Sequence, residues 1–401
     1  MKGMESTVKI LMICGVYAEE NEREALSLTK GYAEQSANIF QRKLIKGIEK
    51  NGMDHKILSA PLIGAYPMRY TKPGFRGFSV KTDLCEYVPF NNIWGIRNLS
   101  RARSLKKAVK EYLRRESEEE FLILVYCPHT PFLEAAAYAK KLKPKSKICL
   151  VVPDLPQYMN LNESGRGLYD FFKKYDIRYM ERLIEKVDSF VLLTEPMKDV
   201  LGVGDRPYTV AEGITDPDIA FAEATFSGDG IKRIVYTGKM NLKFGIRELV
   251  DSFMKIDDPN YRLILCGDGD ARAYVEEKAV LDSRIEYKGM VTSAEAKAYA
   301  DMADVLVNPR PNNEEYTKYS FPSKNIEYLM TGKPVVAYML DGMPTYYSEF
   351  LYEIPPESRS FENVIWEAST KKSSKSDFRT YAKSHLDASK IIAAVIEMNR
   401  M

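Results

Sequence analysis

No stretch of this chain approaches about 18 uncharged apolar residues, the length a helix needs to cross a bilayer, and the first residues lack the charged-then-apolar layout of a signal peptide. The expected location is the cytoplasm. C-x-x-C pairs are missing too, which removes the commonest zinc and redox spacings. The five cysteines are an odd number, and Cys14, Cys127, Cys149 and Cys266 all fall in apolar runs that read as strands. They are expected to be buried thiols in a reducing compartment. Neither sign of charge is in large excess, and a formal net charge of +2 argues against a bulk nucleic-acid binder. Histidine is scarce, and a lone histidine is more often structural than chemical. No internal repeat occurs, and the polar run 371–376 reads as a loop before the last helix.

What is present is an ordinary globular composition, 45% hydrophobic and 28% charged, in 401 residues, more than one core normally serves. Two domains are expected. Val8–Cys14, Phe121–Tyr126, Ile148–Val152 and Asp188–Leu193 read as strands, with helical periodicity over Ala37–Lys50 and Pro131–Leu142. Around 213–230 the pattern fades into Asp, Pro, Ser and Gly. A second series then begins with Arg233–Thr237 and continues through Tyr261–Cys266, Arg284–Tyr287, Val305–Val307 and Val335–Ala337. Strands alternating with helices imply parallel sheets and an α/β class. The boundary is placed at 213/214.

The densest signal lies between Tyr319 and Tyr338. Pro322 suits a first helical turn, and Ser320 or Ser323 can cap it. N–H groups near Ser323, Lys324 and Asn325 would then point off a positive helix end, where a phosphate binds well. Lys324 and Glu327, three apart, share a face. A diphosphate would take the first and ribose hydroxyls the second. Gly332 is placed as the helix stop, before the apolar strand Val335–Ala337. The plain alternative, a capped helix with a surface ion pair, stands open on spacing alone.

This stretch, with Asn308–Pro311 before it and Gly238–Gly245 upstream, resembles glycosyltransferase family 4, retaining sugar-nucleotide transferases of GT-B fold. The resemblance is strongest from Ile234 to Tyr338, and the closest branch builds bacterial capsular and exopolysaccharides. It implies two Rossmann-like domains facing across a cleft, 1–213 on the acceptor side and 214–385 holding the donor, with a helix at 386–401 crossing back to the first. It also implies a nucleotide-diphosphate sugar of UDP or GDP type as donor, no separate cofactor, no metal, and a glycan or lipid-linked glycan as acceptor. By the same resemblance Gly238 opens a phosphate-cradling turn, and Lys239 stands where the family has arginine. The family's next lysine column holds Phe244, with Lys243 one residue early. The family pairs two glutamates eight positions apart; Glu327 matches the second, and Tyr319 stands in the place of the first, beside a Ser320–Lys324 form associated with the polysaccharide-building branch. Arg310, just after a predicted strand, is placed in the crevice, with a salt bridge to Glu314 as its plain alternative. Met290 and Val291 are placed near the base. In the first domain His129 and Asp154 follow predicted strands, where relatives carry such residues near the reacting sugar. Two rivals are a catalytically silent homologue within a transferase complex and a sugar-nucleotide epimerase.

Two short patterns carry less. Gly267–Asp270 offers Asp-x-Asp and Gly-x-Gly, but position 272 is Arg272, so the dinucleotide fingerprint is incomplete, and a tight turn is expected. Between Arg69 and Arg115 basic residues outnumber acids, with Phe75, Phe78, Tyr87, Phe90 and Trp94 interleaved. This segment is expected to contact an anionic membrane surface, against the alternative of a solvated helix face.

Overall fold

The computed structural model describes residues 8–31, 35–155, 167–216, 218, 224, 226–371 and 376–400. Residues 372–375 of the expected polar loop, and Pro156 two residues after Asp154, lie outside the described residues. The chain forms two compact units, Met1–Pro217 with His385–Met401, and Asp218–Ser384.

The first unit is built on β1 (Lys9–Cys14), β2 (His55–Ser59), β3 (Gly74–Phe75), β4 (Glu86–Tyr87), β5 (Phe90–Asn91), β6 (Phe121–Tyr126), β7 (Lys147–Val152), β8 (Ser189–Leu192) and β9 (Tyr208–Val210). Seven of them make one parallel sheet in the order β4-β2-β1-β6-β7-β8-β9, and β3 pairs with β5 separately. β1, β6 and β7 read KILMIC, FLILVY and KICLVV, almost unbroken apolar runs that are buried along their length. Such runs mark strands covered on both faces, as crossover helices require. The helix Ala388–Met398 packs on the helix Gln35–Lys50, where a Cβ on Gly47 would stand 2.5 Å from the Ala388 carbonyl oxygen.

The second unit repeats the plan with β10 (Lys232–Thr237), β11 (Tyr261–Cys266), β12 (Ile285–Gly289), β13 (Val305–Asn308), β14 (Val335–Ala337) and β15 (Tyr352–Glu353), all parallel in the order β12-β11-β10-β13-β14-β15. In each sheet the strand order reverses once, between β1 and β6 and between β10 and β13. Open α/β sheets bind ligands beyond the carboxyl ends of the strands at such a reversal.

At the carboxyl edge of the second sheet three loops pack backbone to backbone. A Cβ on Gly245 would lie 2.0 Å from the Pro309 carbonyl oxygen, one on Gly267 would lie 1.8 Å from that of Gly238, and one on Gly269 would lie 2.3 Å from that of Met240. Gly245 also has φ of +77°. The expected tight turn at Gly267–Asp270 is present: Leu242 N–H donates to Asp270 Oδ1 at 2.6 Å, Met240 N–H donates to the Asp268 carbonyl at 3.0 Å, and the Met240 carbonyl accepts from Ala271 N–H at 2.9 Å. Gly245→Ala is therefore expected to cost more than Gly289→Ala, which has a similar φ of +67° but nothing within 4 Å of its Cβ position. Backbone strain alone costs about 1–3 kcal/mol, and the clash at Gly245 adds to it. Urea unfolding of both variants measures the difference, and equal losses would contradict the interlock.

Candidate functional site

In the second unit the short helix Ser323–Leu329 straddles the β10/β13 reversal because two buried residues pin it. Tyr328 Oη accepts from Thr237 N–H at 2.8 Å at the end of β10, and Asn308 Nδ2 at the end of β13 donates to Asn325 Oδ1 at 2.6 Å. With Asn325, Ile326, Tyr328 and Leu329 facing inward, Lys324 and Glu327 are left on the outer face, paired at 2.6 Å and about one third exposed, at 34% and 35%. The capping expectation is corrected: Pro322 occupies the cap position itself, and neither Ser320 nor Ser323 caps the helix through its side chain. Proline supplies no side-chain acceptor. Ser320 Oγ instead accepts from Arg310 Nη2 at 3.2 Å, and Ser323 is exposed. The helix ends at Leu329, ahead of Gly332, which holds φ of +75° in the turn that follows.

Lys239 follows Gly238 directly and is half-buried, its carbonyl accepting from Tyr236 Oη at 2.8 Å, while Lys243 is exposed with its ammonium 5.5 Å from the Phe244 ring. Arg310 lies on the same ring from elsewhere in the chain, 5.5 Å from the Phe244 centroid and 5.0 Å from that of Tyr316, with no hydrogen-bond acceptor at its buried Nε. The plain alternative, a bridge to Glu314, is not what its described contacts are. Sequence reading did not connect Arg310 with Phe244; only the approach of Gly245 to Pro309 brings them together. Tyr319 ends the turn Glu315–Tyr319, half-buried. Met290 is 45% exposed and Val291 half-buried, between β12 and the helix Ser293–Met302, which Thr292 and Glu295 cap reciprocally. Burial pushes the Cys266 thiol at the end of β11 up to about 11, with the Lys288 and Lys324 cations opposing that shift.

In the first unit the loop after β1 is not an open amide cradle. Gly15 N–H donates to Gln41 Oε1 at 2.8 Å, Tyr17 N–H to Asn38 Oδ1 at 2.7 Å, and Ala18 N–H to Tyr87 Oη at 3.0 Å. After β6, Cys127 takes φ of +64°, the one non-glycine with positive φ among the described residues. Strain at a strand's carboxyl end often accompanies function. It aims the chain so that His129 precedes the helix Thr130–Leu142, its ring edge-on to Phe132 at 4.8 Å and its Nε2 buried without a hydrogen-bond partner. Burial, then the cations of Arg101 and Arg97, hold its pKa well below the usual histidine value, so the ring is neutral. Asp154, two residues beyond β7, is exposed.

Arg101 corrects the reading of the basic segment. It is 1% exposed, lies 4.4 Å over the Phe90 ring, donates to the Pro61 carbonyl at 2.6 Å, and burial followed by Arg97 lowers its pKa to about 9. It is not a surface cation. Phe75 and Phe90 are buried, and Phe75, Phe78, Tyr87 and Phe90 pack ring on ring at 5.1–5.9 Å, leaving Trp94 exposed. Cys14, Cys127, Cys149 and Cys266 are buried free thiols, as expected. Among the described residues no group of three or more His, Cys, Asp and Glu side chains is placed to hold a metal, and no helix is long and apolar enough to cross a membrane.

Residues 231–365 match the family model described as Glycosyl transferases group 1, a span that contains every candidate residue of the second unit. No curated protein sequence matches the chain. Among solved structures, the chain is similar to sucrose-phosphate synthase from Thermosynechococcus elongatus, at 15% identity and TM-score 0.63 over 98% of each chain. It is similar to Anabaena HepE in complex with UDP and glucose, at 15% identity and TM-score 0.58 over 97% of this chain and 98% of the other. It is also similar to WaaG, a glycosyltransferase involved in lipopolysaccharide biosynthesis, at 12% identity and TM-score 0.59 over 96% and 99%. The chain therefore has the α/β fold of the GT-B glycosyltransferases, two Rossmann-like units on parallel sheets, and residues 231–365 of its second unit match the model of glycosyl transferases group 1.

Proposed function

We propose that this protein is a retaining glycosyltransferase that moves a sugar from a nucleotide diphosphate to a glycan or lipid-linked glycan, in the synthesis of a bacterial surface polysaccharide. The observation that carries the reading is that Lys239 just after β10, Arg310 just after β13 and the Lys324–Glu327 pair, on the helix pinned to both strand ends, all belong to the β10/β13 reversal. Glu327 accepts the ribose hydroxyls. The base lies at Met290 and Val291, and the diphosphate lies against Gly238, Lys239, Lys324 and Ser323. As the glycosidic bond loosens, charge builds on the leaving diphosphate, so cations fixed beforehand lower the barrier more than they aid ground-state binding. Arg310 beside the Phe244 ring supplies a cation where the family's lysine column has none, with Lys243 at the rim. Tyr319 offers a hydroxyl to the sugar in place of a carboxylate, and His129 and Asp154, after β6 and β7, are the polar groups assigned to the acceptor. That HepE was solved with UDP and glucose, and that WaaG serves lipopolysaccharide biosynthesis, supports the donor and acceptor classes.

Incubation with labelled sugar nucleotides tests the reading: transfer or donor hydrolysis supports it, interconversion of the sugars would indicate an epimerase, and inertness a silent subunit. Glu327→Ala should weaken nucleotide binding more than tenfold, since hydrogen bonds to a charged group contribute about 1.5–3 kcal/mol. Calorimetric titration showing unchanged affinity would remove Glu327 from the site. Lys239→Ala and Lys324→Ala should lower turnover far more than nucleoside affinity, and full transfer by either variant would refute its leaving-group role. A third expectation concerns His129. Its folded pKa lies below the unfolded value of about 6.5, so only the unfolded chain takes up this proton at first, and stability should fall as pH drops below about 6.5 but not above it. His129→Gln should flatten that part of the stability–pH curve, and superimposable curves would mean the ring is solvated.

A further inference from the structure

Large exposed apolar side chains cluster at one place in the first unit. Ile93, Trp94, Ile96 and Leu99 are 41%, 53%, 48% and 53% exposed, and Met68 is 55% exposed. Met68 belongs to the same patch because Tyr66 N–H donates to the Asn92 carbonyl at 2.9 Å and Trp94 N–H to the Tyr66 carbonyl at 3.1 Å, laying the two loops side by side. The exposure follows from the local fold. Gly95 turns the chain at φ of +86°, and the helix Arg97–Leu113 buries Arg101, Ala102, Leu105, Val109 and Leu113, which leaves Leu99, Arg103 and Lys107 on its outer face. Exposed cations surround the patch: Arg69 beside Met68, then Lys72 and Arg76, and Arg103 and Lys107 along the helix. From Arg97 to Lys110 the sequence contains no acid.

We propose that this apolar knuckle inserts into the interfacial layer of an anionic bilayer, with the surrounding cations against the headgroups. Tryptophan and aliphatic side chains ringed by Lys and Arg are the composition of such interfacial anchors. A second copy of the chain fits less well, because a twofold contact would bring the same cations against themselves. The inference rests on the proposed function only for its purpose, access to a lipid-linked acceptor; vesicle binding is read without any sugar transfer, so failure of the donor reading leaves it standing. It also changes what salt should do. Attraction through exposed charges alone vanishes as the Debye length shrinks from about 10 Å at 0.1 M to 3 Å at 1 M, whereas buried apolar area is not screened.

The chain has two tryptophans, and Trp366 is exposed in the second unit, so Trp366→Phe leaves Trp94 as the sole reporter. With vesicles of phosphatidylcholine and phosphatidylglycerol, Trp94 emission should shift to the blue and the protein should sediment, and about 1 M salt should weaken but not abolish binding. Combining Met68→Ser, Ile96→Ser and Leu99→Ser should lower binding by roughly tenfold or more without altering the melting temperature. Arg103→Glu with Lys107→Glu should lower it at low salt only. The proposal fails if Trp94 emission does not change, if the serine variant binds as well as the parent, if salt alone releases the protein completely, or if the serine substitutions dissolve a concentration-dependent dimer, which would make a second copy the occupant.

Discussion

The second unit depends on contacts in which there is no room for a side chain. Gly245 against Pro309, Gly267 against Gly238 and Gly269 against Met240 join the loops after β10, β11 and β13 main chain to main chain. Each loop leaves the sheet from a different strand, so the interlock converts three independent turns into one surface. Everything placed at that surface inherits its position from it: Lys239 through Gly238, Arg310 through Pro309, and the helix Ser323–Leu329 through Asn308 and Thr237. Rigidity of this kind is what electrostatic stabilisation of a developing charge requires, since groups that must reorganise during the reaction contribute less.

The two reversal points are finished differently. At β10/β13 cations gather at the edge. At β1/β6 the amides are satisfied internally by Gln41, Asn38 and Tyr87, and the nearby titratable ring is held neutral beside an arginine that carbonyl oxygens and a phenyl face accommodate. Two sheets with the same kind of reversal thus end differently, one beside lysine and arginine side chains and one in a loop whose amides are already satisfied.

Much of the fold was legible because parallel strands buried on both faces write themselves as unbroken apolar runs. Phe121–Tyr126, Tyr261–Cys266 and Val335–Ala337 are read to the residue. His55–Ser59 was missed because two of its five residues are polar at the solvent end, and Gly74–Phe75 and Phe90–Asn91 because two-residue strands exist only through tertiary pairing. The pairing of Lys324 with Glu327 followed from helical spacing. The partnership of Arg310 with Phe244 left no local trace, since a backbone contact far along the chain creates it. Arg101 was legible in principle: Ala102, Leu105 and Val109 form the apolar stripe of its helix, and position 101 falls on that stripe. A count of charges conceals what periodicity reveals.

The Lys324–Glu327 pair has a consequence for discrimination. Each side chain already holds the other, and an ion pair this exposed is worth about 0.2–1 kcal/mol. A ligand that offers only an anion draws Lys324 away and leaves Glu327 without that partner; one that offers only hydroxyls does the reverse. A molecule carrying both groups at the right separation replaces both halves of the contact at once. In the proposed donor site the pair would therefore favour a molecule that carries both groups over free diphosphate or free nucleoside, by a few-fold at most.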